Sequence, residues 1–157
     1  LITAVFSFVA SYLLLKLVHI AAEIVAVGAN LTYFFWLRRA GSDRDILVHT
    51  IDGIRRLERR IVNPAYIVML LTGIGMVLNL GYPLTTLWIA AALALYVLIA
   101  VAGLAFFAPA IRRQRAEAER DPLSPAYRRA AARTSLLGTW VTLAVAVILV
   151  LIVFKPT

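Results

Sequence analysis

Polar side chains that could do chemistry interrupt an apolar stretch near the start of the chain, KLVHIAAEIVAVGAN at residues 16–30. At a helical spacing of roughly 100° per residue, Tyr12, Lys16, His19, Glu23 and Asn30 fall within an arc of about 60°. We call these five residues the polar edge. Exposing an ionised group to the centre of a bilayer costs ~3 kcal/mol, so the edge should face other helices, a cavity or a bound group.

The polar edge has three interpretations. If a membrane span begins near Tyr12, Glu23 lies roughly 16 Å inside it, near the midplane, and must be protonated or paired. In the first interpretation His19, one turn earlier, is its partner, and Lys16, His19 and Glu23 form a polar chain that fixes helix packing. In the second, His19 is an axial ligand of haem b, oriented by Glu23 or a neighbouring polar group. In the third, Glu23 passes protons or ions.

Residue types that other chemistries require are missing or isolated. The chain has no cysteine, which excludes thiol catalysis, disulfides and thiolate metal sites. Its two histidines, His19 and His49, are too few for a self-contained zinc site. The sequence pairs no nucleophile with a base and no two carboxylates within a span. We therefore expect no bound metal and favour a non-enzymatic role.

The elements that position the polar edge are membrane helices. The chain has 157 residues, of which 62% are hydrophobic, more than is usual for a soluble domain. The apolar residues fall in long runs that predict four spans, at about 11–37, 64–80, 85–107 and 135–154. Residues 1–10 would form a helical extension or an interfacial segment. The predicted fold is all-α: one polytopic domain, residues 1–157, in which four transmembrane helices form a bundle.

Nearly all charge lies in two connections, 38–63 and 108–134, and the net charge is +8. Each contains seven arginines but at most four acids, so the positive-inside rule predicts that both are cytoplasmic and that both termini are outside. Apolar residues at helical spacing predict an amphipathic helix over 43–62, with a kink or break at Asn63-Pro64.

The basic residues flank apolar runs, which favours anionic lipid headgroups or a partner protein over nucleic acid as their binding partner. The arginines expected to make these contacts are Arg38, Arg39, Arg55, Arg56, Arg59, Arg60, Arg112, Arg113, Arg128 and Arg129.

Three stretches carry a resemblance to known families. LLLKLVHIAAEIVAVGAN at 13–30, RRLERRIVNPAYIVMLLTGIGMVL at 55–78 and VFKP at 153–156 resemble a family of predicted bacterial integral membrane proteins of unknown function with four spans. Lys16 and His19 are also similar to the first helix of copper-resistance D proteins and membrane protoporphyrinogen oxidases. The latter resemblance implies that His19 is the haem-linked position. Their later-helix lysine has no counterpart inside the third and fourth spans.

These observations favour a small protein of the bacterial inner membrane that packs as an accessory subunit within a larger membrane complex. The alternative is a haem-b-binding redox protein in which His19 is the axial ligand. In either case we expect membrane lipids and other membrane subunits as partners.

Overall fold

The computed structural model describes the backbone of residues 2–156 and the side chains of residues 8–156. The predicted all-α fold is confirmed, and four helices are long and apolar enough to cross a membrane. The helical elements are α1 (Ile2–Ala40), α2 (Arg44–Leu57), α3 (Asn63–Asn79), α4 (Leu87–Ala102), α5 (Ala108–Arg120) and α6 (Pro125–Phe154), with π-helical turns at Glu58–Val62 and Gly103–Phe107.

Short connections join the long helices. Gly41, at φ +62°, and Gly81, at φ +72°, supply the left-handed backbone that ends α1 and α3. The Asp43 carboxylate then caps α2 by accepting from the Ile46 N–H at 2.9 Å. Ser124 caps α6 by accepting from the Tyr127 N–H at 3.1 Å. Residues 2–10 continue α1 beyond the level at which α3 ends, where Asn79 Nδ2 donates to Ser11 Oγ at 3.1 Å.

The two π-helical turns keep two long helices continuous past a proline. Each precedes a proline closely, and the Asn63 and Ala108 N–H groups bond to carbonyls five residues earlier. Pro64 lacks an N–H and its ring would collide with the carbonyl four residues before it, so a wider turn relieves the crowding. The predicted break at Asn63-Pro64 is thus a widened turn within one helix, Arg44–Asn79.

The best-buried apolar core lies at the charged end of the molecule. The predicted amphipathic helix is α2, which buries Leu47, Ile51 and Ile54 against Ile111 and Ala118 of α5, together with Tyr33 and Ala40 of α1. In contrast, the apolar sections of the long helices expose large side chains such as Leu17, Ile24 and Leu71. This arrangement suits a bundle whose apolar half is surrounded by lipid and whose charged half packs like a soluble protein.

An ion pair joins α2 to α5 at the charged end. Arg115 Nε lies 2.9 and 3.0 Å from the two carboxylate oxygens of Asp52, and Arg115 also pairs with Glu119 at 2.6 Å. The hydrogen bonds from Arg115 lower the pKa of Asp52, which lies in the charged connection outside the apolar sections. The two connections are therefore packed together as one folded layer.

In the apolar half, the helices pair as α1 with α3 and α4 with α6. The Tyr96 hydroxyl of α4 donates to the Tyr66 carbonyl oxygen of α3 at 2.8 Å and links the two pairs. The α1–α3 seam is close because Ala22 and Ala26 are buried and because Leu15 lies directly over Gly75, 3.3 Å from where a β-carbon would be. This seam positions the polar edge.

Candidate functional site: the polar edge of α1

His19 hydrogen bonds to α3 rather than along its own helix. Its Nδ1 lies 3.0 Å from Thr72 Oγ1, and the Thr72 hydroxyl donates to the Val68 carbonyl at 2.7 Å. A hydroxyl has one proton to donate, so Thr72 accepts from His19 and the imidazole proton resides on Nδ1. In a neutral ring, Nε2 is then the acceptor nitrogen. Glu23, the partner expected from the i, i+4 spacing, is not the group that orients the ring.

Gly73 allows the imidazole to approach α3 closely. A β-carbon at this position would lie 3.1 Å from His19 Cε1 and would displace the ring. Thr72 is itself buried, so the His19–Thr72 bond lies inside the seam. The sequence offered one signal for this contact, a threonine beside a glycine in an otherwise apolar span.

Asn30 is the second member of the polar edge that reaches α3. Its Nδ2 donates to the Tyr66 hydroxyl at 2.6 Å. Tyr66 thus accepts through its hydroxyl oxygen from Asn30 of α1 and through its backbone carbonyl from Tyr96 of α4. His19 and Asn30 therefore hold α1 against α3 by polar contacts at two depths. Tyr12 is half-buried on the same edge.

Lys16 and Glu23 are set apart from that seam. Lys16 is exposed and Glu23 is partly buried, and neither makes a hydrogen bond or ion pair with the side chains of residues 8–156. The polar edge is thus divided: His19 and Asn30 are used within the fold, whereas Lys16 and Glu23 border the open surface of α1. Lys16, His19 and Glu23 therefore do not form the polar chain of the first interpretation.

His49, the other histidine, lies at the charged end. It lines an open polar depression of the surface together with Arg44, Asp45, Val48, Asp52 and Glu119. Within the described part of the chain, no three His, Asp or Glu side chains converge on a position that could hold a metal ion.

The predicted lipid or partner arginines differ in their contacts. Arg55 pairs with Asp52 at 3.3 Å, and the Arg128 guanidinium donates to the Leu123 carbonyl at 3.1 Å. The remaining ones are exposed and make no hydrogen bond or ion pair to the side chains that the structure describes: Arg38, Arg39, Arg56, Arg59, Arg60, Arg112, Arg113 and Arg129.

Comparison with known families agrees with this architecture. A family model described as a predicted integral membrane protein (DUF2269) matches residues 13–156, which is nearly the whole chain. The chain belongs to this family. No curated protein and no solved structure matches it. As a DUF2269 protein it is an integral membrane protein, and its four apolar helices make it multi-pass.

Proposed function

We propose that this protein is a non-enzymatic accessory subunit of a larger membrane complex, and that it docks on its partner through Lys16, Glu23 and the neighbouring Val27. We call these three residues the docking edge. At about 100° per residue they fall within an arc of about 40° on α1, beside the seam with α3. The single observation that carries the proposal is that Glu23 finds no partner within the described chain.

The depth of Glu23 makes a missing partner costly. Ser11 and Asn79 mark the level at which α3 ends, and Glu23 lies twelve residues further along α1, about 18 Å at 1.5 Å per residue. That depth is near the middle of a hydrocarbon core of about 30 Å. A charged carboxylate facing lipid there costs ~3 kcal/mol, and a partner helix that donates a hydrogen bond or supplies a basic side chain removes that cost.

Site-specific photocrosslinking tests this docking edge with a matched pair of positions. Val27 lies on the edge, whereas Val25 is 42% exposed and lies about 160° around the helix from Glu23. With a photoreactive amino acid in place of each valine, in cells, position 27 is expected to give an adduct with a different polypeptide and position 25 is expected to give none. Adducts of equal yield from both positions, or only an adduct with a second copy of this chain, would contradict the proposal.

For location, we propose the bacterial cytoplasmic membrane, with both charged connections in the cytoplasm and both termini outside. The support is the packing of α2 against α5 into one layer, which requires the two connections to lie on the same side. Together they carry all the arginines of the sequence, and arginine-rich connections are retained on the cytoplasmic side.

A second candidate function, haem b binding, is favoured by the hydrogen bond that His19 Nδ1 makes to Thr72. His19 Nδ1–H donates to Thr72 Oγ1, which leaves Nε2 of a neutral ring as the nitrogen that could bind iron, as in metal-bound histidines. His19 would hold the iron and Thr72 would orient the ring; the haem would supply one-electron transfer. The sequence has no second histidine in a span, so this fits one axial ligand.

An absorption spectrum separates the two functions. If haem binds, protein purified from haem-replete cells shows a Soret band that His19→Ala abolishes, and Thr72→Val weakens retention of the haem by about 10- to 100-fold because it removes the ligand's orienting bond. A colourless protein that remains folded and associated with its partner would rule out the haem function and leave the accessory role.

A further inference from the structure

We propose that Arg56, Arg59 and Arg60 form one binding site for a phospholipid headgroup that carries two phosphates. We call these three residues the arginine face. All three are exposed, and none is bonded to the side chains of residues 8–156. Nearby Arg55 and Arg115, in contrast, are both held by Asp52. The arginine face is therefore the unpaired part of α2 and its π-helical turn, whose other arginines, Arg44 and Arg55, are bonded within the fold.

The spacing brings the three guanidinium groups together. Arg59 and Arg60 follow Arg56 by three and four residues, so they lie about one turn away on the same face, with β-carbons about 5–6 Å apart in a helix. Like charges at this spacing repel each other. An anion bound between them removes that repulsion, and the planar guanidinium matches a phosphate through two parallel hydrogen bonds.

The location matches the headgroup level of a bilayer. Arg59 and Arg60 lie in the π-helical turn that ends directly before Asn63, where the apolar α3 begins. Further along that helix, Ile67 and Leu71 are 59% and 64% exposed. They lie on the first turns of α3 beyond the π-helical turn and continue an exposed apolar surface into the hydrocarbon. The surface thus offers cationic groups for phosphates and, adjoining them, an apolar track for acyl chains.

Three guanidinium groups favour a ligand with two phosphates over a ligand with one. A single phosphate monoester or diester is satisfied by one or two arginines and leaves the third unpaired. Two phosphates joined by a short linker, as in a diphosphatidylglycerol headgroup, can contact all three. Basic clusters at the cytoplasmic end of membrane helices bind such lipids in general. This site is on α2 and its π-helical turn, so it stands independently of the docking edge on α1.

The test compares two triple variants of the purified full-length protein in detergent. The first replaces the arginine face: Arg56→Gln, Arg59→Gln and Arg60→Gln. The control makes the same charge change at three exposed arginines outside the set expected to contact lipid: Arg44→Gln, Arg120→Gln and Arg133→Gln. Thermal stability is titrated with diphosphatidylglycerol, with phosphatidylglycerol at equal phosphate, and with soluble pyrophosphate.

We expect the two-phosphate lipid to raise the Tm of the wild type and the control variant at similar lipid concentrations. The arginine-face variant should need about 100-fold more lipid, since each of the three arginines near anionic lipid contributes about a factor of five. The proposal is wrong if both variants lose the response equally, if phosphatidylglycerol is as effective at equal phosphate, or if pyrophosphate reproduces the shift. Circular dichroism of both variants checks that they are folded.

Discussion

Replacing Ile51 with alanine is expected to lower the free energy of unfolding by about 2–5 kcal/mol. Ile51 belongs to α2 and is fully buried against α1 and α5, in the core that joins the two charged connections. The substitution removes three carbons and leaves a cavity that the surrounding helices cannot close fully. Because this core lies outside the apolar sections, lipid cannot fill the cavity.

The same chemical change at Ile46 is the control. Ile46 lies on the same helix but is 56% exposed, so Ile46→Ala is expected to change the unfolding free energy by no more than about 0.5 kcal/mol. Unfolding in mixed micelles, followed by circular dichroism, measures both variants. Equal losses would show that the charged connections are not packed as the structure has them and would remove the basis for placing both on one side.

Single cysteines introduced into this cysteine-free chain are expected to be labelled from outside the cell only where they lie on the outer side of the membrane. Single cysteines at Ser42, Leu123 and Thr85 probe the first charged connection, the second charged connection and the α3–α4 turn; all three positions are exposed. In spheroplasts, a membrane-impermeant maleimide should label position 85 alone, and permeabilisation should add the other two. The physical reason is the cost of translocating arginine-rich segments. Labelling that separates positions 42 and 123 would contradict the shared cytoplasmic location.

Hydropathy and charge were sufficient to predict the helices because the bilayer imposes length and polarity on each span. The amphipathic α2 also followed from spacing, since Leu47, Ile51 and Ile54 recur on one face. The π-helical turn before Pro64 was anticipated only as a kink or break, and the one before Pro109 was not anticipated. Whether a proline breaks a helix or widens one turn depends on the packing around it, which local sequence does not specify.

The hydrogen-bond partners of the polar edge could not be predicted from the sequence alone. Its five residues share an arc of about 60°, yet the structure divides them between two environments. His19 and Asn30 hydrogen bond across the seam to Thr72 and Tyr66, whereas Glu23 does not. Those partners are set by the register of α1 against α3, which follows from close contacts such as Leu15 on Gly75. Helical periodicity within one helix contains no information on that register.

The proposed docking edge gives the residues of α1 two separate roles: some pack α1 against α3, and others contact a partner subunit. Residues directed at α3 stabilise the isolated chain, so their loss lowers its stability. Under the proposed docking, residues on the docking edge contribute only in the complex, and in the isolated chain a charged Glu23 is a cost. Substitutions of the two groups should therefore have opposite effects on the isolated protein.

Glu23→Leu, measured in two assays, tests this most directly. The variant is expected to lose association with its partner on affinity purification in mild detergent, while the Tm of the purified isolated protein stays unchanged or rises. Ile24→Ala, at the adjacent position that is 69% exposed, should change neither. A Glu23→Leu protein that keeps its partner, or whose isolated form is less stable, would contradict the claim that Glu23 is satisfied by another subunit.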